Sequence, residues 1–291
     1  MSTRDEIASL LYLLDDPDDF VRNSVIQRFE EFNAASIPLL DEFRATSKNQ
    51  AERQVLDDVL LKLTFPSLET DFLNFIEGGI MSYTELEAAV LMLSRIDDPT
   101  LREELYIRKL DRLADEIRSE ISYTLQPLRQ LKLVMKHIYE QHGYTPAKQE
   151  YYKPTYAHLH RVLDGKSGIP LTLAFIALFT ARRLELPLSG VNMPVHFLMR
   201  YDFDTQVVFL DPFNSGETVT MNDCLNFLKR HNIRPEQAYF SPAHPVQMLL
   251  RTMRNLNNSY TREGDALRAE RVQVLITHLE LTYGGNPAAE N

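Results

Sequence analysis

The stretch from Leu163 to Asn214 constrains this chain more than any other. A Gly168-Ile169-Pro170 turn leads into Leu171 to Leu186, an apolar run with the periodicity of a buried helix. Pro194 to Tyr201 and Val207 to Phe213 then read as two strands joined by a turn. His196 falls near the start of the first strand and Asp211 at the end of the second. The pair is therefore expected side by side on adjacent strands.

The chain has 291 residues, enough for two domains or one elongated helical unit. Its net charge of -10 argues against general nucleic-acid binding, which needs a concentrated basic surface. Cys224 is the only cysteine, so neither an intrachain disulfide nor a cysteine-based zinc site can form. No apolar stretch reaches the length of a membrane span, and Met1 to Glu6 lacks the apolar core of a secretory signal. A cytoplasmic protein without membrane contact and without a cofactor is expected.

Upstream, Ile7, Leu10, Leu11 and Leu14 follow helical spacing, and Asp15-Asp16-Pro17-Asp18-Asp19 interrupts them. A second helix is expected through Phe20, Val21, Val25, Ile26, Phe29 and Phe32, and a third through Ile37, Leu39, Leu40 and Phe43. This helix, Asp-Pro turn and helix resembles one unit of a HEAT-type repeat, which cannot bury its face alone. Two further helices are expected, over Val55 to Leu63 and Leu68 to Ile76, before the Gly78-Gly79 break. Beyond it, Ser82 and Glu85 stand in capping-box spacing, and helices follow through Leu86 to Leu93, Leu101 to Ile121 and Pro127 to Ile138. After the central stretch come a helix over Met221 to Arg230, then two closing helices either side of Gly264-Asp265. That last pair resembles a tetratricopeptide unit, and the tail Gly284-Gly285-Asn286-Pro287 is expected to fray.

Several motifs together resemble the SirB1 or YchA type of bacterial proteins, which has a transglutaminase-like core and tetratricopeptide-like C-terminal helices. They are Arg161-Val162-Leu163-Asp164, Gly168-Ile169-Pro170-Leu171-Thr172, Gly190-Val191-Asn192-Met193-Pro194-Val195-His196 and Asp211-Pro212-Phe213. The sequence departs from that pattern at Lys153, where an acidic residue is usual, at Tyr156 to His160, and at Val195, usually glycine. The resemblance implies a predominantly α chain with an α+β, papain-like core, a small antiparallel sheet and flanking helical-repeat-like elements. The expected division is 1–79 as a HEAT-like extension, 80–240 as the core, and 241–291 as the closing hairpin and tail.

In the transglutaminase-like pattern a Gly-x-Cys turn opens the core helix, His takes the thiol proton and Asp orients the imidazole. The resemblance puts Gly168 on the glycine and Pro170 on the cysteine, and proline is comfortable in a first helical turn but inert as a nucleophile. Thr172 and Cys224 are the remaining nucleophile candidates. Thr172 points well away from residue 170 on a helix and has a structural alternative in a hydroxyl bonded to backbone. Cys224 lies just inside a helix start, which could lower its pKa, or fills core space as a small buried thiol. Tyr151, Tyr152 and Tyr156 either line a groove over His196 or pack a long loop. His158 and His160 lack the neighbouring ligands of a metal site, His231 and His244 suit surface or turn positions, and Arg182-Arg183 suits a solvated helix end.

The leading expectation is a non-catalytic protein- or peptide-binding or assembly factor on a degenerate core. The alternatives are a hydrolase or acyltransferase using His196 and Asp211 with another nucleophile, and a small-ligand sensor using the vacated nucleophile pocket.

Overall fold

A computed structural model describes residues 2–121, 126–204 and 206–284; the expected tail beyond Gly284 lies outside them. Two compact units divide the chain, Met1–Leu73 with Ser94–Leu101, and Asn74–Leu93 with Arg102–Asn291.

The first unit is helical. Helices α1 (Thr3–Leu13), α2 (Asp19–Glu30) and α3 (Ile37–Thr46) precede α4 (Gln50–Glu77). The Asp18 side chain caps α2 by accepting from the Phe20 amide, so the acidic Pro17 turn starts the helix as its composition suggests. Ile7, Leu11, Val25, Phe29, Leu40, Leu56 and Leu60 form one core. Phe20 and Ile26 depart from expectation, at 77% and 42% exposed. Each sits one residue, about 100° of helical turn, from the Val21, Val25, Phe29 stripe. The two helices expected between Val55 and Ile76 are a single helix running through Pro66. Pro66 lies on the exposed face, where water can satisfy the carbonyl that loses its amide partner. Arg44 binds Asp98 at 2.7 Å and Thr100 at 2.8 Å, drawing the second acidic Pro turn onto this unit.

The second unit holds α5 (Tyr83–Leu93), α6 (Glu103–Arg118) and α7 (Pro127–Met135), the last continuing as a π turn over Lys136–Gln141. Short parallel strands β1 (Thr145–Pro146) and β2 (Ser167–Gly168) flank α8 (Leu159–Gly165). Next comes α9 (Pro170–Arg183), buried on every side from Pro170 to Ala181, which is why its sequence is apolar around the whole circumference. A four-stranded antiparallel sheet follows: β3 (Leu188–Val191), β4 (Leu198–Phe203), β5 (Gln206–Asp211) and β6 (Glu217–Val219), in that order. The chain closes with α10 (Met221–Arg230), α11 (Pro245–Glu263) and α12 (Ala266–Tyr283). This predominantly helical α+β arrangement with a small sheet is the fold class expected from the sequence. Strands β3 and β6 were not foreseen: β3 has four residues with Gly190 among them and β6 has three, too few for a readable alternation.

Register divides the sheet into two faces. Arg200 pairs with Phe209 and Val191 with Leu198, and Val191, Leu198 and Phe209 pack with Cys224 and Leu228 of α10. Met199, Tyr201 and Leu210 alternate to the other face, and β4 packs against α9. Gly190 is required where it stands, because a Cβ there would lie 2.5 Å from the Met248 sulfur and 2.6 Å from the Phe197 ring. Its amide donates to the Tyr83 hydroxyl at 2.8 Å, and its carbonyl accepts from the Ala243 amide at 2.8 Å.

The end of α9 is fixed by charge. Glu87 of α5, with 5% of its side chain exposed, takes Arg183 at 2.5 Å and 2.7 Å and Arg182 at 3.1 Å. Arg183 also reaches Asp111 of α6 at 2.7 Å. Arg182-Arg183 therefore do not form the solvated helix end that their position suggested: their partners lie on α5 and α6, distant in sequence. Replacing Glu87 with alanine takes the bidentate partner from a guanidinium that is only 10% exposed and leaves it the half-exposed Asp111 alone as carboxylate. Urea unfolding of Glu87→Ala is expected to show a loss of about 3–5 kcal/mol, with Glu87→Gln losing less.

Candidate functional site

Backbone hydrogen bonds build the site from the start of α9. Ile169 is its N-cap in extended conformation and Pro170 takes the first helical position, where a missing amide costs nothing. The Ile169 amide donates to the Tyr156 carbonyl at 3.1 Å. Gly168 lets the turn close, since a Cβ there would meet Val162 at 2.9 Å. The nucleophile position of the transglutaminase-like pattern is thus filled by a buried proline ring.

His196 lies in the turn before β4, two residues short of the strand in which it was expected. Its Nε2 donates to Oδ1 of Asp211 at 2.9 Å, and that oxygen also accepts the Phe213 amide at 2.9 Å. The two side chains are 15% and 21% exposed, and the imidazole borders the Phe227 ring of α10 with centroids 5.6 Å apart. The expected pair exists as a bonded pair. Immediately before it, Val195 has φ of +67° and is 62% exposed. A β-branched residue is strained in this left-handed region, which the glycine usual at this place in the resembled family would enter freely.

Neither nucleophile candidate joins the pair. The Thr172 hydroxyl is buried and donates to the Tyr156 carbonyl at 2.9 Å, so it ties the loop to α9 instead of bonding within its own helix. Cys224 is 3% exposed in the core between sheet and α10, and among the described residues no hydrogen bond links it to His196. Burial first, then Asp223, pushes its thiol up to about 11. The helix start does not lower it, because burial outweighs the partial positive charge of the helix N-terminus and the Asp223 carboxylate in the first turn opposes a second negative charge.

The three tyrosines lie apart in role. Tyr151 meets Phe213, two residues beyond Asp211, edge-on at 6.0 Å, and Tyr152 edge-on at 5.2 Å. Arg262 stands 3.8 Å above the Tyr152 ring, and Tyr156 contributes its carbonyl to the α9 start. His158 and His160 do approach, at 5.5 Å, because His158 is the non-helical N-cap of α8; its Nε2 is 2.6 Å from the Tyr260 hydroxyl. No group of three or more His, Cys, Asp or Glu among the described residues is arranged to hold a metal ion. His244 caps α11 through its ring Nδ1. No helix of the described residues is long and apolar enough to cross a membrane.

Two residues here escaped the sequence. Tyr139, in the π turn, is 5% exposed with a hydroxyl that finds no hydrogen-bond partner among the described residues. Burial and then Asp211 push its pKa upward. Arg251 of α11 donates to the Met193 carbonyl at 3.0 Å, the same oxygen that accepts the His196 amide at 3.2 Å. No periodicity marks either one, since each acts through a loop far away in sequence.

Val195→Gly is expected to stabilise the folded chain by about 1 kcal/mol, the relief of left-handed strain exceeding the added chain entropy; denaturant midpoints measure it. For Cys224, a rise from 9.0 to about 11 cuts the thiolate fraction near pH 8 by about a hundredfold, so iodoacetamide should alkylate the folded chain about a hundred times more slowly than the unfolded one. Because the folded thiol is the harder to ionise, its contribution to stability is intact below about 9 and is lost as the pH climbs through about 11. The difference in unfolding free energy between wild type and Cys224→Ala should narrow over that interval.

The comparisons with known proteins meet this geometry. A UPF0162 protein of Xylella fastidiosa is 31% identical over 193 residues, covering 64% of this chain and 68% of its own. The UPF0162 protein of Pseudomonas aeruginosa is 31% identical over 166 residues, 56% of this chain and 60% of its own. F-box only protein 21 of Homo sapiens is 28% identical over 135 residues, 44% of this chain and 21% of that protein. No solved structure gives a significant match. The model of the transglutaminase-like superfamily matches residues 104–254, a span holding the Pro170 turn, His196 and Asp211. With that span and the helix-plus-sheet core around it, the chain belongs to the transglutaminase-like superfamily.

Proposed function

We propose that this chain is a non-catalytic protein- or peptide-binding factor, used in assembly, on a transglutaminase-like core that has lost its nucleophile. The observation that carries this reading is Pro170 at the first position of α9, a buried ring where the chemistry requires a thiol. Within the superfamily we assign the chain to the SirB1 or YchA type, on the motifs around Gly168, His196 and Asp211. The remaining assignments belong to the same reading: a cytoplasmic location, a HEAT-like unit in the N-terminal helices and a tetratricopeptide-like hairpin in α11 and α12.

That hairpin turns at Gly264, whose φ is +78°, and is laced by Asn257 to Gln273 at 3.0 Å and Arg254 to Glu280 at 2.8 Å. Helical hairpins of this kind offer surfaces that hold extended peptides. The loop bearing Tyr151, Tyr152 and Tyr156 supplies aromatic area beside the His196 pair, a good source of peptide contact energy. In F-box only protein 21 the matching stretch is about a fifth of the chain, which suits a module used beside other parts.

The retained His196–Asp211 bond favours one second reading, hydrolysis in which the imidazole activates a water. Turnover of activated acyl esters and peptide amides separates the two. Wild type and His196→Ala are expected to match the protein-free rate; turnover by wild type that His196→Ala loses would replace the binding reading with the hydrolytic one. Peptides selected on wild type from a random library are expected to bind Tyr151→Ala about tenfold more weakly, a loss of about 1.4 kcal/mol.

A further inference from the structure

Arg251 is a half-buried cation that has no counter-ion among the described residues. Its Nη1 donates to the Met193 carbonyl at 3.0 Å and lies 3.5 Å from Oδ1 of Asn192, and the guanidinium carbon is 5.6 Å from the centre of the Phe197 ring. Among the described residues no carboxylate comes within ion-pair distance of it, and Nε and Nη2 have no hydrogen-bond partner. Burial presses its pKa downward, and the opposing influence is the Tyr151 phenol, not an acid. Arginine in such surroundings is normally paired, because a desolvated charge is costly unless something answers it. Met193, Asn192 and Phe197 answer it with neutral dipoles and a ring face.

The side chain lines a groove of about 600 Å³, together with Asn192, Tyr239, Ser241, Gln247 and Arg254. That volume is in the range of small-ligand sites. No Asp or Glu lines it, although the chain carries 41 acidic residues against 31 basic ones. The second cation, Arg254, pairs with Glu280 at 2.8 Å, and with 62% of its side chain exposed that surface pair is a weak hold. Gln247 accepts the His244 amide through Oε1, which leaves its amide nitrogen as a donor. Two guanidinium groups, spare amide donors and no acid describe a receptor for negative charge.

We propose that this groove binds a small anionic ligand through a carboxylate or phosphate group, with the unpaired edge of the Arg251 guanidinium as its main partner and Arg254 closing on it. A guanidinium fork meets either group with two parallel hydrogen bonds. The proposal stands apart from the peptide-binding reading, since neither Pro170 nor a tyrosine of the 151–156 loop serves as a ligand partner, although Tyr151 lies near enough to influence Arg251. It does reach the His196 turn, because the Met193 carbonyl is shared between Arg251 and the His196 amide.

Isothermal titration calorimetry of the full chain with inorganic phosphate, with succinate and with chloride at matched ionic strength tests it. Saturable binding of phosphate or succinate, absent with chloride, is the expected result; phosphate alone identifies a phosphoryl ligand and succinate alone a carboxylate. Arg251→Met, which keeps much of the volume and removes the fork, is expected to weaken that binding at least about tenfold. Arg254→Gln touches only an exposed ion pair, so it keeps the fold and should weaken binding about threefold even if Arg251→Met fails to fold. Absence of saturable binding by either anion to wild type overturns the proposal, as does undiminished affinity in folded Arg251→Met or in Arg254→Gln.

Discussion

Glu87 holds the position of the central helix. A carboxylate buried on α5 binds two consecutive arginines at the end of α9, and one of them continues to Asp111 on α6. Desolvating these charges is costly, and the return comes from a bidentate contact that only one arrangement of the three helices satisfies. Because α9 is apolar around its whole circumference, burial alone would hold it in the core without setting its rotation or its depth. The ion cluster sets both. The first turn of α9, some twenty ångströms away along the helix axis, inherits that precision, and with it the spacing between Pro170 and the His196 turn.

At that first turn the fold keeps the supports of a thiol site and has replaced the thiol. Gly168 still permits the close turn, Asp211 still holds the imidazole, and the Tyr156 carbonyl still collects the Ile169 amide and the Thr172 hydroxyl. The single thiol of the chain has gone to the opposite face of the sheet, where burial keeps it protonated. Strain at Val195 is consistent with a turn that has kept its shape while losing the residue that fits it best.

How much of this was legible in the sequence depended on the range of the cause. The core helix could be read because burial on all sides demands an unbroken apolar run. Asp211 could be read because it ends a strand of recognisable composition, and His196 because it lies close before another, two residues ahead of where that strand begins. The unbroken α4 could not, since whether Pro66 stops a helix depends on which side meets water. The resemblance marked Val195 as a place for glycine, and the backbone angle gives the physical reason. Arg183 and Arg251 looked ordinary because their roles are set by Glu87 and the Met193 carbonyl, partners that no local pattern connects to them.

The outer edge of β3 carries one more consequence. At Gly190 both outward backbone groups are occupied, the amide by the Tyr83 hydroxyl and the carbonyl by the Ala243 amide. The opposite edge is β6, three residues long. An open sheet can recruit an extended segment of another protein as an additional strand, a mode of capture that relies on free main-chain donors and acceptors rather than on side chains. Here one border is plugged and the other is too short to template a ladder. An extended segment of another chain would find little seam to extend at either border of this sheet.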